Sequence, residues 1–463
     1  MVERQLRGIA VVDAGYTNTK VMLFSPEGEA VAERKAASRQ IKGAPYDHLD
    51  HTVVAELCRT ALPELDRILP VDAIVPAAHG AALALLGADG RLALPVMDYQ
   101  AAPPAEIVNA YRAIEPPFAE VYCPLLPMAL THGLQLFWQE QAFPHEFAQV
   151  ATVIPWIQYV AQRLSGVAVC EISSMSCQTQ LMDVARNRLS SLVTGRGWDR
   201  LFPRFAKAWE VVGTLQPEFR GDGFRGAGRV LAGVHDSTGN CVRYLAAGLG
   251  RFTLVSSGTW LISFDTSMPF QALDPKFDTN TNTDIFGRQV ACSRFFGGRE
   301  FELVAGQAPA EAASLADVQA LIDQGTLALP SFSNSGGPMP GTGGKGRITG
   351  PQPKTIGARA SLAALYCALM CDRQLAAIRS QNRIVVDGPF AQNPVFLSVL
   401  AALRPKQKVE ASALRDGTTA GAALIAQIDA REELPQVALA LKPVTPARLK
   451  GLKRYAETWL ALS

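Results

Sequence analysis

The chain has 463 residues, of which 48% are hydrophobic and 19% charged, and its 44 basic and 42 acidic side chains leave a net charge of +2. That length exceeds one ordinary hydrophobic core and points to two domains of roughly 200–250 residues, while the near-neutral balance argues against nucleic acid or an anionic membrane as partner. The eight cysteines show no zinc-ligand spacing, no apolar run approaches the roughly 18 residues of a membrane span, and Met1–Arg7 is charged where a signal peptide would be apolar, so a cytoplasmic protein is expected.

The first predicted elements form a hairpin. An apolar run, Ile9–Val12, ends on Asp13. Small and polar residues fill Ala14–Thr19, and after Lys20 a second apolar run covers Val21–Phe24. Strand–turn–strand is the pattern of a hairpin, and this turn holds groups that suit a phosphate. Gly15 lets backbone N–H groups come close, Thr17, Asn18 and Thr19 add donors, and Asp13 can hold a hydrated Mg²⁺. Taken alone, the stretch reads equally well as an ordinary hairpin with a polar turn.

Helical spacing follows over Val53–Leu69. A buried strand, Val71–Ala77, runs into His79-Gly80, and Ala81–Leu86 reads as a strand closed by the turn Gly87–Gly90. Gly133–Gln141 and Val153–Leu164 have helical patterns, the second stopped by Ser165-Gly166. A Gly/Arg-rich stretch at Gly221–Gly228 marks a predicted boundary between domains 1–228 and 229–463.

Beyond that boundary the opening logic returns. The short strand Val230–Val234 ends at His235-Asp236, a helix is expected over Asn240–Ala247, and strands Arg251–Val255 and Trp260–Phe264 flank the turn Ser256–Thr259. Ser331–Gly350 is a Gly/Pro/Ser-rich loop. A long helix is expected over Ala358–Ser380, a strand over Arg383–Val386 with a turn at Asp387-Gly388, and helices over Pro394–Leu403 and Thr418–Ile428. Two hairpins with Gly and hydroxyl turns, and two strand-end acids, suit phosphoryl transfer. Such catalysis is mostly positioning and charge neutralisation, requiring backbone donors, a metal-holding carboxylate and a base near the acceptor hydroxyl. Asp13 suits the metal and Asp236 the base, although an Asp ahead of a helix is more commonly a cap.

The set IAVVDAGYTNTK, PWIQYVAQRLSG, AGVHDSTGN, LVSSGTW and VVDGPFAQNP resembles the FGGY carbohydrate kinases of the actin-like ATPase superfamily, in family order over most of the chain. HDST, SSGTW and Gln392-Asn393 look closest to the rhamnulokinase and fuculokinase forms. The resemblance implies an α/β architecture of two actin-like (ribonuclease H-like) domains with a catalytic cleft between them, sugar on the first and ATP on the second. It implies that Asp13 binds Mg²⁺, that Gly15, Thr17, Asn18 and Lys20 line the β/γ-phosphates, and that Asp236 is the catalytic base. Ser257, Gly258 and Thr259 match the second phosphate loop, and Gly388 and Asn393 match the adenosine loop. On the sugar side His79-Gly80 and Asp98 match contact positions, with a buried structural His as the alternative at 79. Trp260 reads as a core aromatic rather than a sugar platform.

Departures from the family pattern stand beside these matches. The adenosine loop carries Gly388-Pro389-Phe390 in place of three glycines, and proline removes an N–H and fixes φ. Gln135 stands where Lys is usual. Gly341–Gly346 matches G-x-G-x-x-G but precedes no helix, and the Walker pattern fails at Met339 and Gly346, so neither carries a nucleotide. His48, His51 and His145 have no partners at ligand spacing and read as surface residues. The function expected is ATP- and Mg²⁺-dependent phosphorylation of a primary hydroxyl of a ketose, L-fuculose or L-rhamnulose first and a pentulose second. A catalytically weak sugar or nucleotide sensor on the same fold is the alternative of another class. The expected partners are a small sugar and ATP, with a second copy of the chain as the protein partner to consider.

Overall fold

Alternation along one short strand sets the plan of the first part of the protein. In the computed structural model, which describes residues 6–413 and 416–463, Ala10, Val12 and Ala14 of strand Gly8–Ala14 point to one face and Ile9 and Val11 to the other. Side chains of period two leave a strand on both sides, so a strand apolar at every position must be covered on both faces. Helices Thr52–Ile68 and Trp156–Ser165 pack on the first face. Asp236–Ala246 and Gly417–Ile425 cover the second. These last two helices meet through glycines: a Cβ on Gly421 would lie 1.9 Å from the Gly239 carbonyl oxygen.

The sheet between these layers has the strand order Val211–Thr214, Arg229–Leu231, Val71–Ala78, Gly8–Ala14, Asn18–Phe24, Ala30–Ala37. Val71–Ala78 is parallel to Gly8–Ala14, aligning Asp13 with Ala77. The short strand Val234–His235 is also parallel to Val71–Ala78, on its other side, aligning Val234 with the same Ala77. Asp13, His79 and Asp236 therefore all leave the carboxyl ends of adjacent parallel strands, which is where open α/β sheets present ligand-binding groups.

The chain divides into two units, the first containing residues up to Gly248 with Thr281–Gln289 and Gly417–Val437. The second contains Leu249–Asn280, Val290–Asp416 and Ala438–Ser463. The predicted boundary after residue 228 thus falls inside the first unit. Asp236 and the helix Gly417–Ile425 belong to the first unit, not the second. The Gly/Arg stretch has its backbone tied down locally: Asp66 accepts from the Arg225 and Gly226 N–H groups, and Asp72 from Ala227 N–H at 2.9 Å.

In the second unit the sheet order is Gln289–Phe295, Leu261–Asp265, Phe252–Ser257, Arg383–Asp387, Val409–Ser412, Leu441–Pro443. Val255 and Leu261 share a core with Leu365 and Leu369 of the long helix Ile356–Ala377 and with Phe396. Among the described residues no helix is long and apolar enough to cross a membrane.

Other sequence expectations shift. Val153–Leu164 is not one helix: strand Val150–Pro155 leads into helix Trp156–Ser165, with Pro155 at the N-cap position. The helix expected from Asn240 begins at Asp236 itself. Within the Gly/Pro/Ser-rich loop, Arg347–Thr349 pairs with Leu327–Leu329.

Candidate active site

The first hairpin closes with Asp13 directly opposite Lys20, and their side chains form an ion pair at 3.3 Å. Its turn is braced from one side. Ser38 Oγ donates to the Gly15 carbonyl at 2.7 Å, Gln40 Nε2 to Tyr16 at 2.8 Å, and Ser38 N–H to Thr17 at 3.0 Å. Three successive carbonyls are thereby committed, while Thr17 and Asn18 remain exposed.

Asp236 opens its helix, so its carboxylate lies at the positive end of the helix dipole and accepts from Ser237 N–H and, at 3.1 Å, Ser237 Oγ. His235 is buried beside it. Its Nε2 is 3.5 Å from Asp236 Oδ1 and 3.5 Å from Cys177 Sγ. Burial opposes a charge on His235, but the Cys177 sulfur, Asp236 and Glu171 outweigh it and push the imidazole up to about 9. Gly80 makes room for this ring, since a Cβ there would lie 2.8 Å from His235 Nε2. Behind Cys177, Glu171 caps helix Ile172–Ser176 and accepts from the N–H and hydroxyl groups of Ser173 and Ser174. Burial holds its carboxyl above the usual range.

His79 lies next to these groups. Its Nδ1 donates to the Gly80 carbonyl at 2.6 Å, a tautomer assigned from that bond, and burial lowers its pKa against the pull of Asp236 and Asp98. Asp98 is fully buried, with both oxygens on the Tyr16 hydroxyl at 3.2 and 3.1 Å and Oδ1 accepting from Gln100 N–H at 2.9 Å. Lys42 Nζ stands 3.7 Å from Oδ2. Tyr16 and His79 also line a recess shared with Gln40, Asp50 and Trp156.

In the second unit the second hairpin and the Gly388 turn are joined by one side chain. Ser257 Oγ donates to the Asp387 carbonyl and accepts from Phe390 N–H at 3.0 Å. Gly388 has φ +82°, and a Cβ there would lie 2.0 Å from the Ser257 carbonyl oxygen. Gly258 N–H donates to Trp260 at 2.8 Å, the Thr259 carbonyl accepts from Gly298 N–H at 3.1 Å, and the Thr259 side chain is exposed. Pro389 opens a short 3₁₀ turn, Pro389–Gln392, and Phe390 turns into the core against Phe396 at 4.8 Å. Asn393 accepts from Phe396 N–H at 3.0 Å as the N-cap of helix Pro394–Leu403. Trp260 is half-buried and stacks on Phe296 at 4.4 Å.

The first unit thus brings together Asp13, Gly15, Thr17, Asn18, Lys20, His79, Gly80, Asp98 and Asp236. The second brings together Ser257, Gly258, Thr259, Gly388 and Asn393. Gln135 is a buried bracket, donating to the Ala81 carbonyl at 2.7 Å and the Ala129 carbonyl at 2.5 Å. His145 is exposed as expected, whereas His48 and His51 are half-buried, His48 through a bond to Tyr46 O at 2.9 Å and His51 by edge contact with Tyr159. Sequence reasoning did not single out Tyr16, Ser38, Gln40, Glu171 or Cys177. Only Tyr16 had a visible signal, as an aromatic among small polar turn residues.

For a metal, one carboxylate, Asp13, in a hairpin whose turn exposes Thr17 and Asn18 suits Mg²⁺, which keeps most of its waters and takes few protein ligands. The described residues contain no group of three or more His, Cys, Asp or Glu arranged to hold an ion.

Residues 249–435 match the family described as carbohydrate kinase FGGY, C-terminal domain. Among solved structures, a carbohydrate kinase from Novosphingobium aromaticivorans is 31% identical with a TM-score of 0.85, covering 99% of this chain and 98% of that one. A xylulose kinase from Rhodospirillum rubrum is 19% identical with a TM-score of 0.80, covering 98% of each chain. A ligand-bound xylulose kinase from Lactobacillus acidophilus is 14% identical with a TM-score of 0.78, covering 99% and 96%. No curated protein sequence matches the chain.

Proposed function

The chain belongs to the FGGY carbohydrate kinase family, and on that premise we propose that it transfers the γ-phosphoryl group of ATP to a primary hydroxyl of a ketose, a pentulose of the xylulose type. The observation that carries this reading is the placement of two carboxylates. Asp13 and Asp236 stand at the carboxyl ends of strands on either side of Val71–Ala78: Asp13 pairs with Ala77, and Asp236 directly follows His235, which pairs with Ala78. Two strand spacings separate such strands by about 10 Å. That span accommodates a phosphoryl group between a metal-side acid and a base.

In this mechanism Asp13 would hold Mg²⁺, which when bound would supply charge neutralisation for the β- and γ-phosphates. The exposed turn Thr17–Asn18, fixed by Ser38 and Gln40, presents donors to those phosphates. Asp236 accepts the proton of the attacking hydroxyl as its oxygen bonds to the γ-phosphorus and the bond to the β-phosphate oxygen breaks, releasing ADP. His79 orients the sugar through Nε2, since Nδ1 is committed to Gly80. Nucleotide is held by the second unit, where Gly388 allows close backbone approach and Gly258-Thr259 forms the second phosphate turn.

Two of the structures described above are xylulose kinases by name, which supports a pentulose over the 6-deoxyketohexoses, L-fuculose and L-rhamnulose, that HDST and SSGTW suggest. An ATP-coupled screen of ketoses, aldoses and polyols with wild type and Asp236→Asn tests the proposal. Turnover of a pentulose that disappears in the variant is expected. Turnover confined to L-fuculose or L-rhamnulose would overturn the substrate, and sugar-induced stabilisation without ADP release for any sugar would replace the kinase with a sensor.

A further inference from the structure

Tyr16 sits in the phosphate-side turn, yet its side chain is committed to the segment assigned to the sugar. Its hydroxyl meets both oxygens of Asp98 at 3.2 and 3.1 Å. Its ring packs against Tyr99 at 4.6 Å and meets His79 edge-on at 5.9 Å, and His79 in turn meets Tyr99 edge-on at 5.7 Å. Asp98 has no exposed surface. Its oxygens are occupied by Tyr16 and the Gln100 N–H, with Lys42 3.7 Å away. A ligand therefore cannot reach this carboxylate while Tyr16 holds its place. What the segment presents outward is the half-buried tyrosine.

The chemistry of the phenol follows from that anchoring. Burial, and then the Asp98 charge, hold its pKa well above the ordinary value, so it stays a donor. Its proton is directed to the carboxylate, which leaves oxygen lone pairs to accept from a ligand. Donation to an anion polarises the O–H and strengthens the oxygen as an acceptor. The tilted rings of Tyr16, Tyr99 and His79 add an apolar wall of the kind that packs against the C–H face of a sugar.

We propose that Tyr16 is a sugar-contact and specificity residue: its hydroxyl, anchored on Asp98, accepts a hydrogen bond from a hydroxyl of the ketose. Asp98 is then a positioning residue that acts through Tyr16, and does not itself touch the sugar. This rests on the reading above, that the ketose is bound by the His79–Asp98 side of the first unit. It also makes one turn serve both substrates, since Thr17 and Asn18 follow Tyr16 directly.

The test compares wild type, Tyr16→Phe, Asp98→Asn and the double variant. It measures turnover across ketoses, KM for ketose and for ATP, and ketose binding by calorimetry without nucleotide. Tyr16→Phe keeps the ring stack and removes one oxygen, so its melting temperature serves as the folding control. The ketose KM and dissociation constant are expected to rise about 3- to 10-fold, the loss of one hydrogen bond, with kcat and the ATP KM within twofold. The double variant should be no worse than the weaker single one. An unchanged ketose KM in Tyr16→Phe overturns the proposal, as does a fall in kcat alone, which would confine Tyr16 to the geometry of the phosphate turn. Weakening by Asp98→Asn without any effect of Tyr16→Phe overturns it too, because Asp98 would then meet the sugar itself. In each of these cases wild-type turnover of a ketose leaves the kinase reading standing, whereas a wild type that neither binds nor phosphorylates any ketose overturns both.

Discussion

A base that must take a proton only in the transition state needs to be held without being consumed. Asp236, the base of the proposed mechanism, is held this way: the N–H and hydroxyl of its own neighbour Ser237 donate to Oδ1, and His235 Nε2 stands 3.5 Å from the same oxygen. Replacing Asp236 by Asn keeps the shape and removes the proton acceptor. A loss of about 10²–10⁴-fold in kcat is expected, with the melting temperature unchanged within a few degrees. His235 carries a second expectation. Its pKa is pushed up to about 9, against about 6.5 for a histidine in an unfolded chain. A group raised on folding stabilises fully below its unfolded pKa and loses that contribution as pH climbs through the folded value. Thermal stability should therefore decline between about pH 6.5 and pH 9, and the decline should flatten in His235→Gln. Melting curves across that range decide the matter, and the imidazole Cε1–H resonance of His235 should titrate near its upper end. None of this was legible in His235-Asp236 as a dipeptide. The acid was visible because it ended a strand, whereas Cys177 and Glu171 act on His235 only through the fold.

At the scale of elements, the joint between the second hairpin and the Gly388 turn shows how much a local pattern reveals. Asp387-Gly388 reads as a turn from sequence, and the strand Arg383–Asp387 runs one residue past the expected end at Val386. What sequence left open was the effect of Pro389 and Phe390. Proline at the start of a 3₁₀ turn gives up an N–H that had no helical partner, and Phe390 goes to the core, so the departure from a triple glycine is absorbed structurally. Gly388→Ala combines a strained φ with a Cβ 2.0 Å from the Ser257 carbonyl oxygen. It should destabilise by about 1–3 kcal/mol or more and raise the ATP KM more than the sugar KM, measurable by denaturant titration and steady-state kinetics. Asn393 offers a contrast. Its side-chain oxygen is spent on a helix cap, so Asn393→Ala should cost about 0.5–2 kcal/mol of stability while leaving the ATP KM nearly unchanged. A large rise in that KM would return Asn393 to the nucleotide.

Periodicity failed in two places for physical reasons. Val153–Ile157 is apolar without a break because a buried strand feeds directly into a buried helix, so no polar residue marks the junction. Asp236–Gly239 has poor helix propensity, yet Ser237, Thr238 and Gly239 are helical because packing on Gly417–Ile425 outweighs it.

For the molecule as a whole, sequence foresaw two α/β parts but not how the chain is shared between them. A cut after residue 228 would part Asp236 from Asp13, although both lie in the first unit. Nor does a cut after Gly248 yield a complete first unit. The fragment 1–248 lacks the helix Gly417–Ile425, which covers Ile9, Val11 and Ala77 on one face of the sheet. Expressed alone it should bind a hydrophobic dye and unfold without a sharp transition, and adding the peptide 417–437 in trans should restore cooperativity. A fragment that melts as sharply as the full chain would contradict this. The same thread through Gly417–Val437 has a consequence during synthesis. At about 5–20 residues per second, the ribosome needs on the order of ten seconds or more to travel from Gly248 to the closing helix. Until then a nascent sheet would show the apolar face that Gly417–Ile425 later covers, so the last fifth of the chain decides when the first fifth is sealed from water.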